Sequence, residues 1–259
     1  MRFPSFARKP AAIAEPYPTD RITWTGDYAT WADAVANCGD GYNTETIAEH
    51  YVRRYEAVSS DVAATIASTA ATEHILRYLA ALSFAEPIEG VTRILDYGGG
   101  YGSLASIFPH LMPSRKFHFD IVETPAVVAR SNRMGASPDK RFFERIDQAE
   151  ARYSLVIFSG TLQYLENPLA AWKAVSRLPC PAIMVGRLTI MPSLTRDRLA
   201  VQNVPSAPFA GRFPCWLFHP GFADHFAKSG KVALRWDSPG DTMRVDNETF
   251  CDQALLVVR

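Results

Sequence analysis

Residues 93–104 read RILDYGGGYGSL: an apolar run closed by Asp96, glycines at positions 98, 99, 100 and 102, then Ser103 opening a helix-like segment. A run of this kind that breaks on glycine and resumes at helical spacing is a strand turning into a helix. The glycines let the backbone turn tightly and approach a ligand with no Cβ in the way. In an open α/β sheet the ligand sits beyond the carboxyl ends of the strands, at such a turn.

The spacing of the turn narrows the ligand. A dinucleotide fingerprint is G-x-G-x-x-G, and counted from Gly98 its last glycine is replaced by Ser103. The pattern is instead D-x-G-x-G-x-G, running through Asp96, Gly98, Gly100 and Gly102, with Gly99 beside them. A carboxylate at Asp96 repels a pyrophosphate and attracts a ligand that carries an ammonium and a sulfonium. The next strand-like stretch, KFHFDIVE, ends on Glu123, 21 residues after Gly102. That is where a ribose-binding fold places the acid that accepts from the 2′- and 3′-hydroxyls. Together the two signals point to S-adenosylmethionine, which has both positive charges and no phosphate.

Outward from this turn the chain alternates strand-like and helix-like pieces in βαβ rhythm. SLASIFPHL and NPLAAWKAVSRL read as helices, and YSLVIFSG and AIMVGRL as strands. HPGFADHFAKSG looks helical, and VALRWDS and QALLVVR are two closing strands. Ahead of the turn, the alanine-rich stretch from Ser60 predicts one long helix, with Val62, Ile66, Ile75, Leu76, Leu79 and Leu82 near helical spacing. Residues 1–60 are aromatic and irregular and read as an arm with short helices, loose and proline-rich at its start. The expected organisation is an N-terminal arm and helices over 1–90, capping the acceptor side, and a cofactor-binding domain over 91–259. Its connection 188–220, rich in Pro and Arg, is long for a link inside a compact domain and reads as a substrate lid loop.

Composition excludes several function classes. Lys+Arg and Asp+Glu number 27 each, so no basic field is present to hold a nucleic acid backbone. No apolar stretch reaches the ~18 residues of a membrane span. Cys38, Cys180, Cys215 and Cys251 are scattered without CxxC spacing, which suits free thiols in the cytoplasm. With no HExxH, no Cys/His cluster and no acidic pair at ligand spacing, the expected metal set is none.

Residues 93–165 resemble class I S-adenosylmethionine-dependent methyltransferases, with Asp96, Gly98, Gly100 and Gly102 matching the cofactor loop and Glu123 the ribose acid. More narrowly, almost the whole chain is similar to a bacterial family of putative methyltransferases without an assigned substrate. WTGDY, GYN, LDYGGGYGS, FSGTLQYL, GRL, VQNVP and FPCWLF carry that likeness, and Asn43 stands where an aspartate is expected after the Gly-Tyr pair. The resemblance implies a Rossmann-like, seven-stranded, mostly parallel sheet with an antiparallel last strand and helices on both faces. It also implies that FSGTLQYL touches the cofactor through Ser159, Gly160 and Leu162, with Gln163 and Tyr164 nearer the transferred methyl. Asp147 in ERIDQ, after a further strand-like stretch, is the candidate to receive the adenine amine, with an ordinary surface residue as the alternative. Leu162 and Gln163 would equally serve as core and helix cap.

Methyl transfer needs orientation and exclusion of water more than covalent help from the protein. Tyr164, Arg187 and His219 are the candidate catalytic residues, His219 and His225 lying near the expected last helix. Tyr28, Tyr42, Gln163, Arg187, Gln202 and Trp216 are the candidate acceptor contacts, since aromatic faces stack on sugars and rings and an arginine holds a carboxylate, phosphate or sugar hydroxyl. Core packing and a salt bridge are the alternatives for these residue types. The expected activity is methyl transfer, at oxygen, to a small molecule or saccharide precursor. A non-catalytic cofactor-binding scaffold and an aminopropyl-type transferase on the same fold are the competing readings.

Overall fold

The computed structural model describes residues 22–39, 41–135, 137–149, 152–205 and 210–259, with the backbone alone for 69–72 and 239–241. The proline-rich start of the arm, residues 1–21, lies outside the described residues.

The turn at 98–102 sits where the sequence places it. Strand β2 (Val91–Tyr97) runs into helix α5 (Leu104–Leu111), followed by β3 (Lys116–Val122), α6 (Pro125–Met134), β4 (Lys140–Phe143), β5 (Leu155–Ser159), α7 (Pro168–Val175) and β6 (Ala182–Leu188). Long strands β9 (Lys231–Val245) and β10 (Glu248–Val258) close the chain. These form one seven-stranded sheet in the order β4-β3-β2-β5-β6-β10-β9. Its first five strands are parallel, and β10 enters antiparallel between β6 and β9.

Burial on both faces explains why the central strands are almost wholly apolar. Successive residues of β5 serve opposite sides. Leu155 and Ile157 pack with Ile94, Phe119 and Met184 beneath α5 and helix α4 (Thr69–Leu82), whereas Val156 and Phe158 pack with Ile183 and Val185 beneath α7 and helix α8 (Asp224–Ala227). Within β3, Asp120 is fully buried. Burial alone would raise its carboxyl, but hydrogen bonds from His118, Arg141 and Tyr153 outweigh that and hold it at about 2.

Three segments depart from the sequence reading. The single long helix is two, α3 (Val62–Ala67) and α4, because Ser68 takes an extended backbone and ends the first. The arm contains a 16-residue helix, α2 (Glu45–Ser60), capped by Thr44, whose hydroxyl accepts from the Ile47 amide. Within the connection 188–220 the chain forms an antiparallel hairpin, β7 (Arg198–Val204) and β8 (Gly211–Leu217), where a loop was expected. Strand β1 (Thr23–Thr25) pairs with β7, giving a separate three-stranded sheet in the order β1-β7-β8.

Alternation divides the residues of this small sheet between two faces. Leu199 and Val201 face helix α1 (Trp31–Ala36) through Ala34, with Tyr28, Trp31 and Trp216 around them. Ala200, Cys215 and Leu217 pack with Trp24 and Met191 against Met243, Val245 and Phe250 near the turn of the β9–β10 hairpin. The small sheet is thereby seated on the extended end of the large one. Among the described residues no helix is long and apolar enough to cross a membrane.

Candidate active site

The carboxyl ends of β2, β3, β5 and β6 meet under α2 and the small sheet. Three glycines of the turn have left-handed backbones, Gly98 at φ 75°, Gly100 at φ 60° and Gly102 at φ 78°. A Cβ on Gly98 would lie 2.3 Å from the Thr161 hydroxyl, and one on Gly100 would lie 3.0 Å from the Tyr51 ring. Both positions therefore combine a backbone that suits glycine with a neighbour that fills the side-chain space. Thr161 is itself fixed by donating to the Tyr97 carbonyl at 2.9 Å, which ties the loop after β5 to the turn after β2.

Two carboxylates flank the turn. Asp96 is 2% exposed at the end of β2, and an ideal Cβ on Gly99 would lie 2.3 Å from its Oδ2, so the carboxylate rests directly against the turn. Burial and the nearby Glu123 push its carboxyl up to about 7. Glu123 follows β3 and accepts from the Gly100 amide at 3.0 Å and the Thr124 amide at 2.7 Å. Burial also raises its carboxyl, against the lowering by those amides. A carboxylate offers about four acceptor positions. Two remain on Glu123 for hydroxyl donors.

Asn43 joins this end of the site: its Oδ1 accepts from the Ala126 amide in the first turn of α6 at 2.9 Å. Asp147 lies in a 3₁₀ turn after β4, largely exposed, and its carboxylate is engaged by Arg145 at 2.6 Å.

Across the sheet toward β6, several of the residues singled out from sequence converge. Gly160 donates its amide to the Gly186 carbonyl, and Ser159 accepts from the Tyr78 hydroxyl at 3.3 Å. Leu162 is buried in the core beneath. Gln163 is 3% exposed and donates to the Arg187 carbonyl at 3.0 Å. Tyr42 stacks on Phe213 at 4.1 Å and meets the edge of Tyr164 at 4.9 Å, while the Tyr164 hydroxyl donates to Gln202 at 3.0 Å. Burial raises both phenols, so each is a fixed donor and not a phenolate base.

Tyr28, Trp216 and His219 stand apart from this group. Strand alternation puts Trp216 beside Leu199, on the face away from Gln202 and Phe213. Its indole donates to the Leu165 carbonyl and its ring stacks on Trp31. Tyr28 packs on the same α1 face, its amide bonded to Leu199. His219 pairs through Nδ1 with Asp197 at 2.8 Å, and its amide donates to the same oxygen. Three residues of the site carried no sequence signal that singled them out: Tyr51, Arg54 and Thr161. A helix assignment for 45–60 would have placed the first two on one face, three residues apart.

No family model and no curated protein matches this chain. Solved structures do match. The 1,6-didemethyltoxoflavin N1-methyltransferase of Burkholderia thailandensis, with bound 1,6-didemethyltoxoflavin and S-adenosylhomocysteine, is 14% identical; the match covers 92% of this chain and 94% of that one at a TM-score of 0.50. An S-adenosylmethionine-dependent methyltransferase of Leishmania major is 14% identical, with 82% of each chain covered and a TM-score of 0.46. An O-methyltransferase family protein from Burkholderia thailandensis is 13% identical, with 84% of this chain and 63% of that one covered and a TM-score of 0.46. Identity at this level bears on fold alone. The first match spans nearly all of both chains, so this chain has the Rossmann-like fold of class I methyltransferases.

Proposed function

We propose that this protein is an S-adenosylmethionine-dependent methyltransferase acting on a small molecule or saccharide precursor, with oxygen as the methylated atom. One observation carries the reading: a glycine turn pressed between a buried Asp96 and a Glu123 that keeps two acceptor positions, at the carboxyl edge of this sheet. The residues fit the cofactor. Burial and the nearby Glu123 raise the proton affinity of Asp96, and a ligand bearing positive charge beside it offsets both. The narrower kinship with the bacterial family of putative methyltransferases belongs to the same reading and rests on the motifs quoted above.

When bound, the cofactor supplies a methyl group already activated by its sulfonium. The chain supplies placement. Glu123 accepts from the ribose hydroxyls, Asp96 faces the cationic end, and Tyr51 on α2 covers the turn. Ser159 and Gly160 shape the wall toward β6, with Leu162 packed in the core behind them. Tyr42, Tyr164, Gln163, Gln202 and Arg187 border the acceptor side, where Tyr164 and Gln202 form one hydrogen-bonded unit that orients a polar group. The small sheet and α2 together exclude water from that side. Tyr28 and Trp216 serve here as packing of this cap, and the half-exposed His219–Asp197 pair lies outside the wall so formed.

Calorimetry tests the reading: S-adenosylhomocysteine should bind and NAD should not. Glu123→Ala should weaken S-adenosylhomocysteine by about 1–3 kcal/mol, as expected for lost hydrogen bonds to a charged, partly buried acceptor. Unchanged affinity in a folded variant rejects the ribose assignment. An untargeted search for a product that gains one methyl group then separates a transferase from a binding scaffold.

Asp96 adds a pH dependence. Its folded value, about 7, is above the ordinary carboxylate value, so folding favours the protonated form. By itself this group lowers stability progressively as pH rises through that interval. A cation bound beside it favours the carboxylate, so affinity for a cationic ligand should rise through about pH 7, with release of up to about one proton per ligand. Titrations in buffers of different ionisation enthalpy measure that release. Binding that takes up or releases no protons around neutral pH would exclude Asp96 as the cation's partner.

A further inference from the structure

Strand β4 opens on a lysine that is 7% exposed. Alternation turns Lys140 and Phe142 to one face of the sheet, and the lysine stem passes the glycine turn 3.4 Å from where a Cβ on Gly102 would stand. A buried ammonium is costly unless its donors and its charge are met. Here the Tyr101 carbonyl accepts from Nζ at 3.0 Å, and the charge lies 3.4 Å from the centre of the Tyr55 ring and 4.3 Å from that of Tyr101. The rings support one another, Tyr55 edge-on to Tyr101 at 5.3 Å and Tyr101 stacked on Phe142 at 5.2 Å. Among the described residues no carboxylate pairs with this ammonium. Burial lowers its proton affinity, and Tyr55 raises it in opposition.

The two main partners of Lys140 belong to different parts of the molecule. Tyr101 lies inside the glycine turn, next to Gly100, whose amide donates to Glu123 and whose missing side chain admits the Tyr51 ring. Tyr55 lies on α2, one helical turn after Tyr51. The apolar seam of α2 is thin, with Ile47, Ala48 and Val52 as its buried residues. At the start of the helix Glu45 pairs with Arg133 at 2.6 Å, both exposed, and such a pair contributes little. Near its end the Ser59 and Ser106 hydroxyls share a hydrogen bond of 2.7 Å. Between them, Lys140 touches both the turn and the helix that covers it.

We propose that Lys140 is a positioning residue for the cofactor: its ammonium fixes the glycine turn through the Tyr101 carbonyl and latches α2 onto that turn through the Tyr55 ring. One buried charge then sets both the affinity for the cofactor and the closure of α2 over it. This rests on the methyltransferase reading above for the identity of the ligand, and on the geometry alone for the latch.

Amide hydrogen exchange and calorimetry with S-adenosylhomocysteine, both on the full chain, test the latch. Lys140→Met keeps the stem and removes the charge. In that variant the amides of residues 51–59 should exchange at least about fivefold faster while those of β5 keep their rate, and S-adenosylhomocysteine affinity should fall at least about fivefold. Tyr55→Leu should quicken α2 to a similar degree, whereas Tyr55→Phe, which keeps the ring, should change it by less than about threefold. The double variant Lys140→Met/Tyr55→Leu should exchange no faster in α2 than Lys140→Met, because both changes remove one contact. If Lys140→Met does not fold, the half-buried Tyr55 gives the same test from the helix side. Exchange quickened equally in α2 and β5 would reflect lost packing alone and overturns the latch. So do additive effects in the double variant, or unchanged S-adenosylhomocysteine affinity in a folded Lys140→Met. If S-adenosylhomocysteine fails to bind the unaltered protein, the methyltransferase reading fails, and the exchange of α2 still decides the latch.

Discussion

Replacing Phe119 by alanine should destabilise the protein by about 3–5 kcal/mol, as large-to-small changes at fully buried aromatic positions do. Phe119 is fully buried on β3, paired with Ile94 on one side and Lys140 on the other. Its ring lies 5.6 Å from that of Phe108 and 6.3 Å from that of Phe117, so truncation leaves a void between the sheet and α5. The helix cannot settle into that void without dragging the glycine turn at its own start. For a chain of this size the loss corresponds to a fall in melting temperature of roughly 6–20 °C. A change below about 1 kcal/mol would mean that the α5 face collapses freely and that the turn is not held by the core.

Gly98→Ala is the second large effect, and it acts on stability and cofactor together. An alanine at φ 75° costs roughly 1–2 kcal/mol for the left-handed backbone. Its Cβ also displaces Thr161, whose bond to the Tyr97 carbonyl is worth about 0.5–1.5 kcal/mol net. The summed cost is about 1.5–3.5 kcal/mol, with at least a tenfold loss of S-adenosylhomocysteine affinity as the two loops separate. Because the clash is with the Thr161 side chain, Thr161→Ala in the same chain should recover about 1 kcal/mol of the sum of the single effects. Strict additivity in that double-mutant cycle would show that backbone strain alone sets the cost.

The part of the fold that the sequence discloses is the part where one requirement dominates each residue. The glycine turn, the acid at the end of β3 and the apolar central strands each answer to a single demand, and the reading placed them correctly. The segments that escaped serve two demands at once. Helix α2 buries only Ile47, Ala48 and Val52, while Tyr51 and Arg54 look into the site, so no continuous apolar stripe announces it. Arg54 stands next to Arg53 in the sequence and reads as one of a solvated pair. Strand β8 carries Pro214, which a central strand would not tolerate. It is permitted because β8 pairs with β7 alone. In β7 the polar pair Gln202 and Asn203 interrupts the apolar run, and Gln202 is buried because Tyr164 bonds it. The division of the aromatics between two faces of the small sheet depends on strand register, which composition does not reveal.

The pairing of Thr23 with Asn203 across the small sheet also orders events in time. At synthesis rates of 5–20 residues per second, the β1 segment waits on the order of 10 s or more before its partner strand exists. The parallel strands β2 to β6 are all made in that interval, so the cofactor-binding layers can assemble on the ribosome while the proposed cap is still open. The cap closes only when the hairpin after β6 returns to meet the start of the chain, and its far face is completed later still, when the β9–β10 hairpin arrives. A non-local closure of this kind is slow relative to the local βα units. The last region to form is thus the one proposed to border the acceptor, and a chain halted before β7 would carry its glycine turn with no partner for β1.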